Sequence, residues 1–150
     1  MEYKIVELGE KIVVGVSAKT ANNDPDMGKI IGNLWGKLYM GGVYQTINNK
    51  ANAYAIGLYS DYEGDSYEAI TYVTTAGIEV STSENPELET KIIPAGHYAK
   101  FSIVGNMEDL AKAWDSIWQL GLDRSYTGDF EEYLNMDMEH AIVDIYIALK

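Results

Sequence analysis

The first half of the chain switches between strand-like and helix-like patterns of apolar residues. Residues 3–8 and 11–19 are extended runs rich in β-branched side chains, and they predict two strands. Apolar side chains then recur every three to four residues, which predicts an amphipathic helix over residues 25–40. Two more strand-like runs follow, over residues 53–61 and 67–80. The apolar positions of the predicted helix are Met27, Ile31, Leu34, Trp35 and Leu38.

Capping and turn residues mark the ends of these elements. Asp24 is placed to cap the predicted helix, and Pro25 suits its first position because proline lacks the backbone N–H that a helix start leaves unused. Residues 61–65, with the sequence DYEGD, have the composition of a hairpin loop. The first half is therefore predicted to run β-β-α-β-β.

The second half repeats this order of elements. Residues 89–101 predict two strands separated by a Pro-Ala-Gly turn, and Asn106 is placed to cap a second helix. Residues 129–134 and 141–149 predict the last two strands. The apolar stripe of the second helix consists of Leu110, Ala113, Trp114 and Ile117.

The repeated order predicts the fold class and the domain organisation. We expect a single α+β domain over residues 1–150, with an internal repeat of approximately 1–82 and 87–150. Two pseudo-symmetric β-β-α-β-β units would form one curved antiparallel sheet with both helices on one face. We expect a ligand groove on the other face, where the two units meet.

The stretch GDFEEYLN, residues 128–135, carries a carboxylate on each face of a predicted strand. Phe130 and Leu134 are apolar and are expected to pack towards the helices or the sheet rim. Alternation then directs Glu131 and Tyr133 into the groove and leaves Glu132 near solvent. From the residues alone, Glu131 as an ordinary solvated glutamate remains the alternative.

Composition narrows the classes of partner. The 11 Lys and Arg residues against 23 Asp and Glu give a net charge of −12, which disfavours nucleic acid and anionic membranes and favours cations. The chain has no cysteine, its acidic start lacks the pattern of a signal peptide, and no apolar run is long enough to span a membrane. We therefore expect a cytoplasmic protein. The 12 Tyr and 3 Trp residues, against 2 Phe, suit a cavity that is partly apolar and partly wet.

Five stretches in order along the chain resemble the GyrI-like small-molecule-binding domain, the effector-binding module of AraC-type and MerR-type multidrug regulators. This domain also occurs in stand-alone proteins, including products of integron cassettes. The resemblance covers essentially the whole chain. The stretches are IGLYSDYE at 56–63, YVTTAGIEV at 72–80, IPAGHYAKF at 93–101, DFEEY at 129–133 and DIYIALK at 144–150.

The resemblance implies a binding module for lipophilic, amphipathic cationic compounds, which would sense or sequester drugs. It implies that Glu131 is the buried counter-charge and that Tyr146 is a wall of the pocket. The chain departs from the regulators in having no helix-turn-helix segment, so we expect no DNA binding by this chain alone, although a regulator or DNA gyrase could be a protein partner. It also lacks the proline that the family often has in the last strand.

Further aromatic residues are candidates for the groove. Trp35 and Trp114 lie on the apolar stripes of their helices, which favours core packing, and a place in the groove is the alternative. Trp118 lies at the margin of its stripe, where it could form the pocket mouth. Tyr72 and Tyr59 lie on strands, and either could line the groove.

Motifs for catalysis, cofactors and metals are not recognisable. The chain has no glycine-rich phosphate loop, no Gly-x-Ser-x-Gly and no thiol nucleophile, and His97 and His140 have no metal-ligand spacing. We expect no cofactor, no metal and no catalytic residue. Two alternatives remain, namely a hydrolase of electrophilic natural products that uses a glutamate and a tyrosine, and an interaction protein of the gyrase-inhibitor type.

Overall fold

A computed structural model describes residues 1–64, 70–82 and 84–150, which form one eight-stranded antiparallel sheet and three helices. The fold class predicted from the sequence is confirmed, with one short helix in addition. The strands are β1 (Lys4–Leu8), β2 (Lys11–Ala21), β3 (Lys50–Glu63), β4 (Thr71–Val80), β5 (Glu89–Ile93), β6 (Gly96–Gly105), β7 (Asp129–Tyr133) and β8 (Ala141–Ala148). The helices are α1 (Met27–Tyr39), α2 (Val43–Thr46) and α3 (Met107–Gln119).

The strand order in the sheet is β1-β6-β8-β7-β3-β4-β2-β5. If each strand of the first unit is exchanged with its counterpart in the second, this order is reproduced in reverse. A pseudo-twofold axis therefore passes between β3 and β7. The first strand of each unit pairs with a strand of the other unit at the edge of the sheet, β1 with β6 and β5 with β2. In the predicted hairpin between β3 and β4, Asp65 and residues 67–69 lie outside the described residues, and β3 itself continues to Glu63.

The helix starts follow local capping chemistry. Helix α1 begins two residues later than predicted, because the Asp24 side chain accepts a hydrogen bond from the backbone N–H of Asp26 at 2.8 Å and holds a turn before the helix. Helix α3 begins as predicted. The Asn106 side chain accepts from the backbone N–H of Asp109, and the Asp109 side chain accepts from the backbone N–H of Asn106.

Buried apolar side chains form one cluster on each face of the sheet. We call the cluster beneath the helices the helix-side cluster; it includes Leu38, Phe101, Ile117 and Ile145. Successive residues of a strand point to opposite faces of the sheet. The residues that alternate along each strand with those of the helix-side cluster therefore point to the other face, where they form the outer cluster. The outer cluster consists of Val13, Ile56, Leu58, Ile93, Tyr98, Phe130, Tyr146 and Ala148, with Val6 and Leu8 packed against it.

The sheet is strongly curved. Strands β5 and β6 are six positions apart in the sheet order, which in a flat sheet is about 29 Å at the usual strand spacing. Only Pro94 and Ala95 separate them in the chain, and that connection spans at most about 11 Å. The two sides of the sheet must therefore curl towards each other, and the Tyr98 hydroxyl fixes the connection by donating to the Pro94 carbonyl at 2.6 Å.

The prediction that the groove lies on the face opposite the helices is wrong. A cavity of about 540 Å³ lies between α1, α3 and the centre of the sheet, on the helix-side face. On the opposite face the sheet curls around the buried side chains of the outer cluster. None of the helices formed by residues 1–64, 70–82 and 84–150 is long and apolar enough to cross a membrane.

Candidate ligand-binding site

The candidate site is the cavity between α1 and α3, which we call the main cavity. Its volume is about 540 Å³, within the range of small-molecule sites. Its floor is formed by β3, β4 and β7, where the two units meet. The lining residues are Asn22, Met27, Gly28, Ile31, Gly32, Trp35, Tyr59, Tyr62, Tyr72, Met107, Leu110, Ala111, Trp114, Asp115, Trp118, Glu131 and Tyr133.

Glu131 lies on the floor of the main cavity and is only 3 % exposed. The Trp114 indole N–H donates to its Oε2 at 2.6 Å, and the Tyr133 hydroxyl donates to its Oε1 at 2.8 Å. The Tyr59 hydroxyl lies 3.5 Å from Oε2, at the limit of a hydrogen bond. Among the described residues no cationic side chain forms an ion pair with this carboxylate. Its charge is thus held by neutral donors.

Burial raises the pKa of the Glu131 carboxyl above its usual value, while the hydrogen bonds from Tyr133, Trp114 and Tyr59 lower it in part. Burial, together with the nearby Glu131 charge, also raises the pKa of the Tyr59 and Tyr133 hydroxyls. Both tyrosines therefore stay protonated at neutral pH and remain able to donate to the carboxylate.

A glycine makes room for this carboxylate. Gly57 pairs directly with Glu131 across β3 and β7, so the two residues face the same side of the sheet. A Cβ atom at position 57 would lie 2.8 Å from Glu131 Oε1 and 3.3 Å from Trp35 Cζ2. The absence of a side chain at Gly57 is therefore what allows the carboxylate and the indole to occupy the floor together.

Aromatic rings form the walls around the carboxylate. The Tyr59 ring meets the rings of Tyr72 and Trp114 edge to face, with centroid distances of 5.5 Å and 5.3 Å. The Trp35 ring meets Tyr133 in the same way at 5.3 Å. These rings present π faces and edges to a space that a single carboxylate makes negative.

The structure brings seven of the eight predicted site residues into the wall of the main cavity. Trp35 and Trp114 also pack against the helix-side cluster, so both interpretations that the sequence left open hold for them. Trp118 is half-buried in the wall at the far end of α3. The seven residues are Glu131, Tyr133, Tyr59, Tyr72, Trp35, Trp114 and Trp118.

Tyr146 lies outside the main cavity, contrary to the prediction. In the β7–β8 pairing Tyr146 is opposite Phe130, whereas Glu131 is opposite Ile145. The Tyr146 ring therefore stacks on Phe130 in the outer cluster, with centroids 4.5 Å apart. Ile145 belongs to the helix-side cluster, and the main cavity lies on that same face of the sheet. Glu132 is half-buried on the outer side rather than near solvent.

Tyr62 lines the cavity although strict alternation from Tyr59 would place it on the other face. The β3–β4 pairing shifts register between Ser60 and Glu63, and Asp61 there has a φ of 55°. This bulge turns Tyr62 back to the face of Tyr59. Aspartate tolerates such a conformation better than most residues, so Asp61 was the available signal in the sequence.

Apart from Asp115, which directly follows Trp114 on α3, the helical lining residues that the sequence analysis missed follow from helix periodicity. On α3 they precede the predicted Trp114 by three to seven positions, and on α1 they precede Trp35 by three to eight. Extending each aromatic stripe backwards by one or two turns would have found them. They are Met107, Leu110 and Ala111 on α3, and Met27, Gly28, Ile31 and Gly32 on α1.

A buried ion pair supports the end of the cavity next to Tyr62. The Tyr62 hydroxyl donates to Asp129 Oδ2 at 2.7 Å, and Arg124 forms an ion pair with the same oxygen. Asp129 Oδ1 accepts from the backbone N–H of Ala148 at 2.8 Å. The Arg124 guanidinium also lies over the Trp118 ring, 4.2 Å from its centroid. This network fixes two wall residues, Tyr62 and Trp118.

Comparisons with known proteins place these observations in context. The sequence profile of a family described as the GyrI-like small molecule binding domain matches residues 1–150. A comparison with curated protein sequences gave no match. Among solved structures, an integron cassette protein from the mobile metagenome of Vibrio cholerae is 27 % identical, with a TM-score of 0.77 over 99 % of this chain and 95 % of that one.

Two other structures share the fold at lower identity. SAV2435, described as bound to tetraphenylphosphonium, is 18 % identical with a TM-score of 0.77, covering 100 % of this chain and 94 % of that chain. The C-terminal domain of EcmrR is 17 % identical with a TM-score of 0.60, covering 100 % and 99 %.

Proposed function

Because the chain belongs to the GyrI-like small-molecule-binding domain family, we propose that the main cavity binds lipophilic organic cations. The observation that carries this proposal is Glu131, a buried carboxylate on the cavity floor without an ion-pair partner among the described residues. A buried charge that lacks an opposite charge is costly. A bound cation supplies that charge, so the site favours cations over neutral ligands.

The charges of the wall support the same preference. Among the described residues that line the cavity there is no Lys, Arg or His, and Asp115 on α3 adds a second carboxylate on the exposed side. The charged side chains that line the cavity are therefore both negative. An anionic ligand would be repelled by both carboxylates and would find no compensating donor with a positive charge.

The hydrogen bonds of Glu131 indicate a cation with diffuse charge. Both carboxylate oxygens already accept bonds from Trp114 and Tyr133. A primary ammonium group would have to find its hydrogen bonds at the acceptor sites that these donors leave, whereas a quaternary or delocalised cation needs no hydrogen bond and gains from charge attraction and contact with aromatic faces. Tetraphenylphosphonium, the compound bound to SAV2435, belongs to this class of ligand.

The biological role that fits such a site is sensing or sequestration of amphipathic cationic compounds. Sensing would require a separate DNA-binding partner, because a net charge of −12 gives this chain no attraction to the phosphate backbone. Hydrolysis, the enzymatic alternative, has less support in the geometry, since the oxygens of Glu131 that would activate water are already engaged by two side chains.

The test compares ligands of one shape and opposite charge. Tetraphenylphosphonium and tetraphenylborate differ in the sign of their charge, and triphenylphosphine oxide serves as a neutral relative. We expect tetraphenylphosphonium to bind with micromolar or better affinity, at least about tenfold tighter than the neutral compound, and tetraphenylborate not to bind. Titration calorimetry and tryptophan fluorescence measure the affinities. Equal affinities for the three compounds would refute the proposal, and chemical conversion of a bound ligand would show an enzyme instead.

A further inference from the structure

A second cavity of about 230 Å³ lies beyond the inner wall of the main cavity. Trp35, Tyr133 and Met107 line both spaces, so a wall of three side chains separates them. A dry cavity of about 150 Å³ is already enough to hold a benzene ring. The remaining lining residues of the second cavity are Tyr39, Ala55, Met136 and Met138.

The lining of the second cavity is unlike that of the main cavity. Three of its side chains are methionines, Met107, Met136 and Met138, and no charged residue is among those described. Methionine is flexible and polarisable, so it adapts to apolar groups of varied shape. The second cavity is therefore suited to the apolar part of a ligand and not to its charge.

The lining of the second cavity includes one buried hydroxyl group and two exposed thioethers. The Tyr39 hydroxyl oxygen is buried and has no hydrogen-bond partner among the residues that the structure describes. Met136 and Met138 are exposed at 61 % and 43 %, in the connection between β7 and β8. An apolar group in the cavity would cover both thioethers.

The connection that carries these methionines has a defined conformation. The Asn135 side chain accepts from the backbone N–H of Ile142 at 3.1 Å and donates to the carbonyl of His140 at 3.0 Å. Asp137 Oδ1 accepts from the backbone N–H groups of Glu139 and His140. Met136 and Met138 are therefore held at the cavity mouth by local hydrogen bonds, although their side chains face solvent.

We propose that the second cavity is a subsite for an apolar arm, alkyl or aryl, of the same ligand whose cationic centre lies near Glu131. This inference rests on the proposed function of the main cavity. The arm would pass the wall at Trp35 and Met107, which contact both spaces. The preferred ligand is then an elongated cationic amphiphile, and a compact cation fills only the main cavity.

The distribution of the six methionines provides a direct test. Met27 lines only the main cavity, Met107 lines both, and Met136 and Met138 line only the second cavity. Met1 and Met40 line neither, and Met40 is 93 % exposed. In protein labelled with ¹³C at the methionine methyl groups, the Met27 resonance therefore reports on the main cavity, and the Met136 and Met138 resonances report on the second cavity.

The probes are methyltriphenylphosphonium and octyltriphenylphosphonium, which share a cationic centre. We expect the methyl compound to shift the resonances of Met27 and Met107, and the octyl compound to shift those of Met136 and Met138 in addition. If the octyl compound shifts Met27 but leaves Met136 and Met138 unchanged, the subsite is refuted while the main-cavity proposal stands. If neither compound shifts Met27, the proposed function fails and the subsite fails with it.

Affinity measurements give an independent readout. Each buried methylene strengthens binding roughly fourfold, so the octyl compound should bind at least about tenfold tighter than the methyl compound. The double substitution Met136→Ser and Met138→Ser should reduce this ratio at least about threefold, since part of the apolar wall is lost, and should leave the affinity of the methyl compound unchanged. Met40→Ser is the matched control. An unchanged ratio in the double variant would overturn the proposal.

Discussion

Replacing Glu131 with Gln removes the negative charge from the cavity floor and keeps the shape of the side chain. The Gln amide oxygen can accept from the Trp114 indole, which can only donate. The amide nitrogen can donate to the Tyr133 hydroxyl, which can rotate to accept. The local hydrogen bonds therefore survive the substitution, and the main change is the loss of charge.

The expected loss of affinity follows from the charge and its surroundings. At an effective dielectric constant of about 20, a cation about 5 Å from the carboxylate gains about 3 kcal/mol of Coulomb energy. The Gln dipole recovers part of this, so Glu131→Gln should weaken binding of tetraphenylphosphonium by about 1–3 kcal/mol, or about 5- to 150-fold in Kd. The affinity for triphenylphosphine oxide should stay the same or improve.

The pH dependence distinguishes a local charge from a general electrostatic effect. Since the pKa of Glu131 is raised by burial, affinity for the cation should be constant above the raised pKa and fall about tenfold per pH unit below it. Protons should be released on binding near that pKa. The Gln variant should show neither effect. Titration calorimetry in two buffers of different ionisation enthalpy measures both.

Glu132→Gln is the control, because it removes the same charge from the neighbouring residue, whose side chain is on the other side of the sheet. It should change the affinity by less than about twofold, or about 0.4 kcal/mol. If Glu131→Gln and Glu132→Gln weaken binding equally, the effect comes from net charge, and the assignment of Glu131 as the counter-charge is refuted.

Stability should also respond to Glu131. Because its pKa is raised in the folded protein, the native state binds this proton more tightly than the unfolded chain does. The stabilisation from that proton is present below the unfolded pKa and is lost as pH rises through the folded pKa. Above the folded pKa, the free energy of unfolding of the Glu131→Gln variant should therefore be higher than that of the wild type. The difference between the two should shrink as pH falls.

Three further substitutions test the architecture of the site. Gly57→Ala should lower the free energy of unfolding by about 1–3 kcal/mol, because its Cβ would lie 2.8 Å from Glu131 Oε1; an unchanged melting temperature would contradict this. Gly32→Ala should raise the free energy of unfolding by about 0.5–1 kcal/mol in urea titrations, because the added Cβ meets nothing within 4 Å and alanine favours the helix. A decrease in that free energy would contradict this. Asp129→Ala should lower it by about 3–5 kcal/mol, since Arg124 is left buried without its partner; a loss below 1 kcal/mol in the same titration would be incompatible with that.

Strand periodicity was sufficient to predict part of the site. In β7 it correctly placed Glu131 and Tyr133 on one face and Phe130 on the other, because these three residues are in regular extended conformation. The repeat of elements predicted the fold class for a similar reason, since each strand and helix has its own local pattern. The capping box of Asn106 and Asp109 likewise depends on neighbouring residues only.

Periodicity could not determine which face carries the site. Periodicity places Ile145 and Tyr146 on opposite faces of the sheet. It gives no information on which face the helices cover, because helix packing depends on contacts between distant parts of the chain. Tyr146 was misplaced for that reason. Tyr62 was missed because a bulge interrupts the alternation of β3, and a bulge depends on the pairing with β4. The cavity itself is defined by the separation of α1 and α3, for which the sequence contains no local signal.

The exchange of edge strands between the two units has a consequence for how the protein is made. β1 emerges from the ribosome well before β6, with which it pairs, and β2 gains its outer neighbour only when β5 has been synthesised. The first unit therefore remains with unpaired strand edges, and such non-local pairing folds slowly. β7 and α3, which supply Glu131 and Trp114, come later still. The ligand-binding floor therefore cannot form before β7 has been synthesised, so a shorter nascent chain has no complete site to offer a ligand.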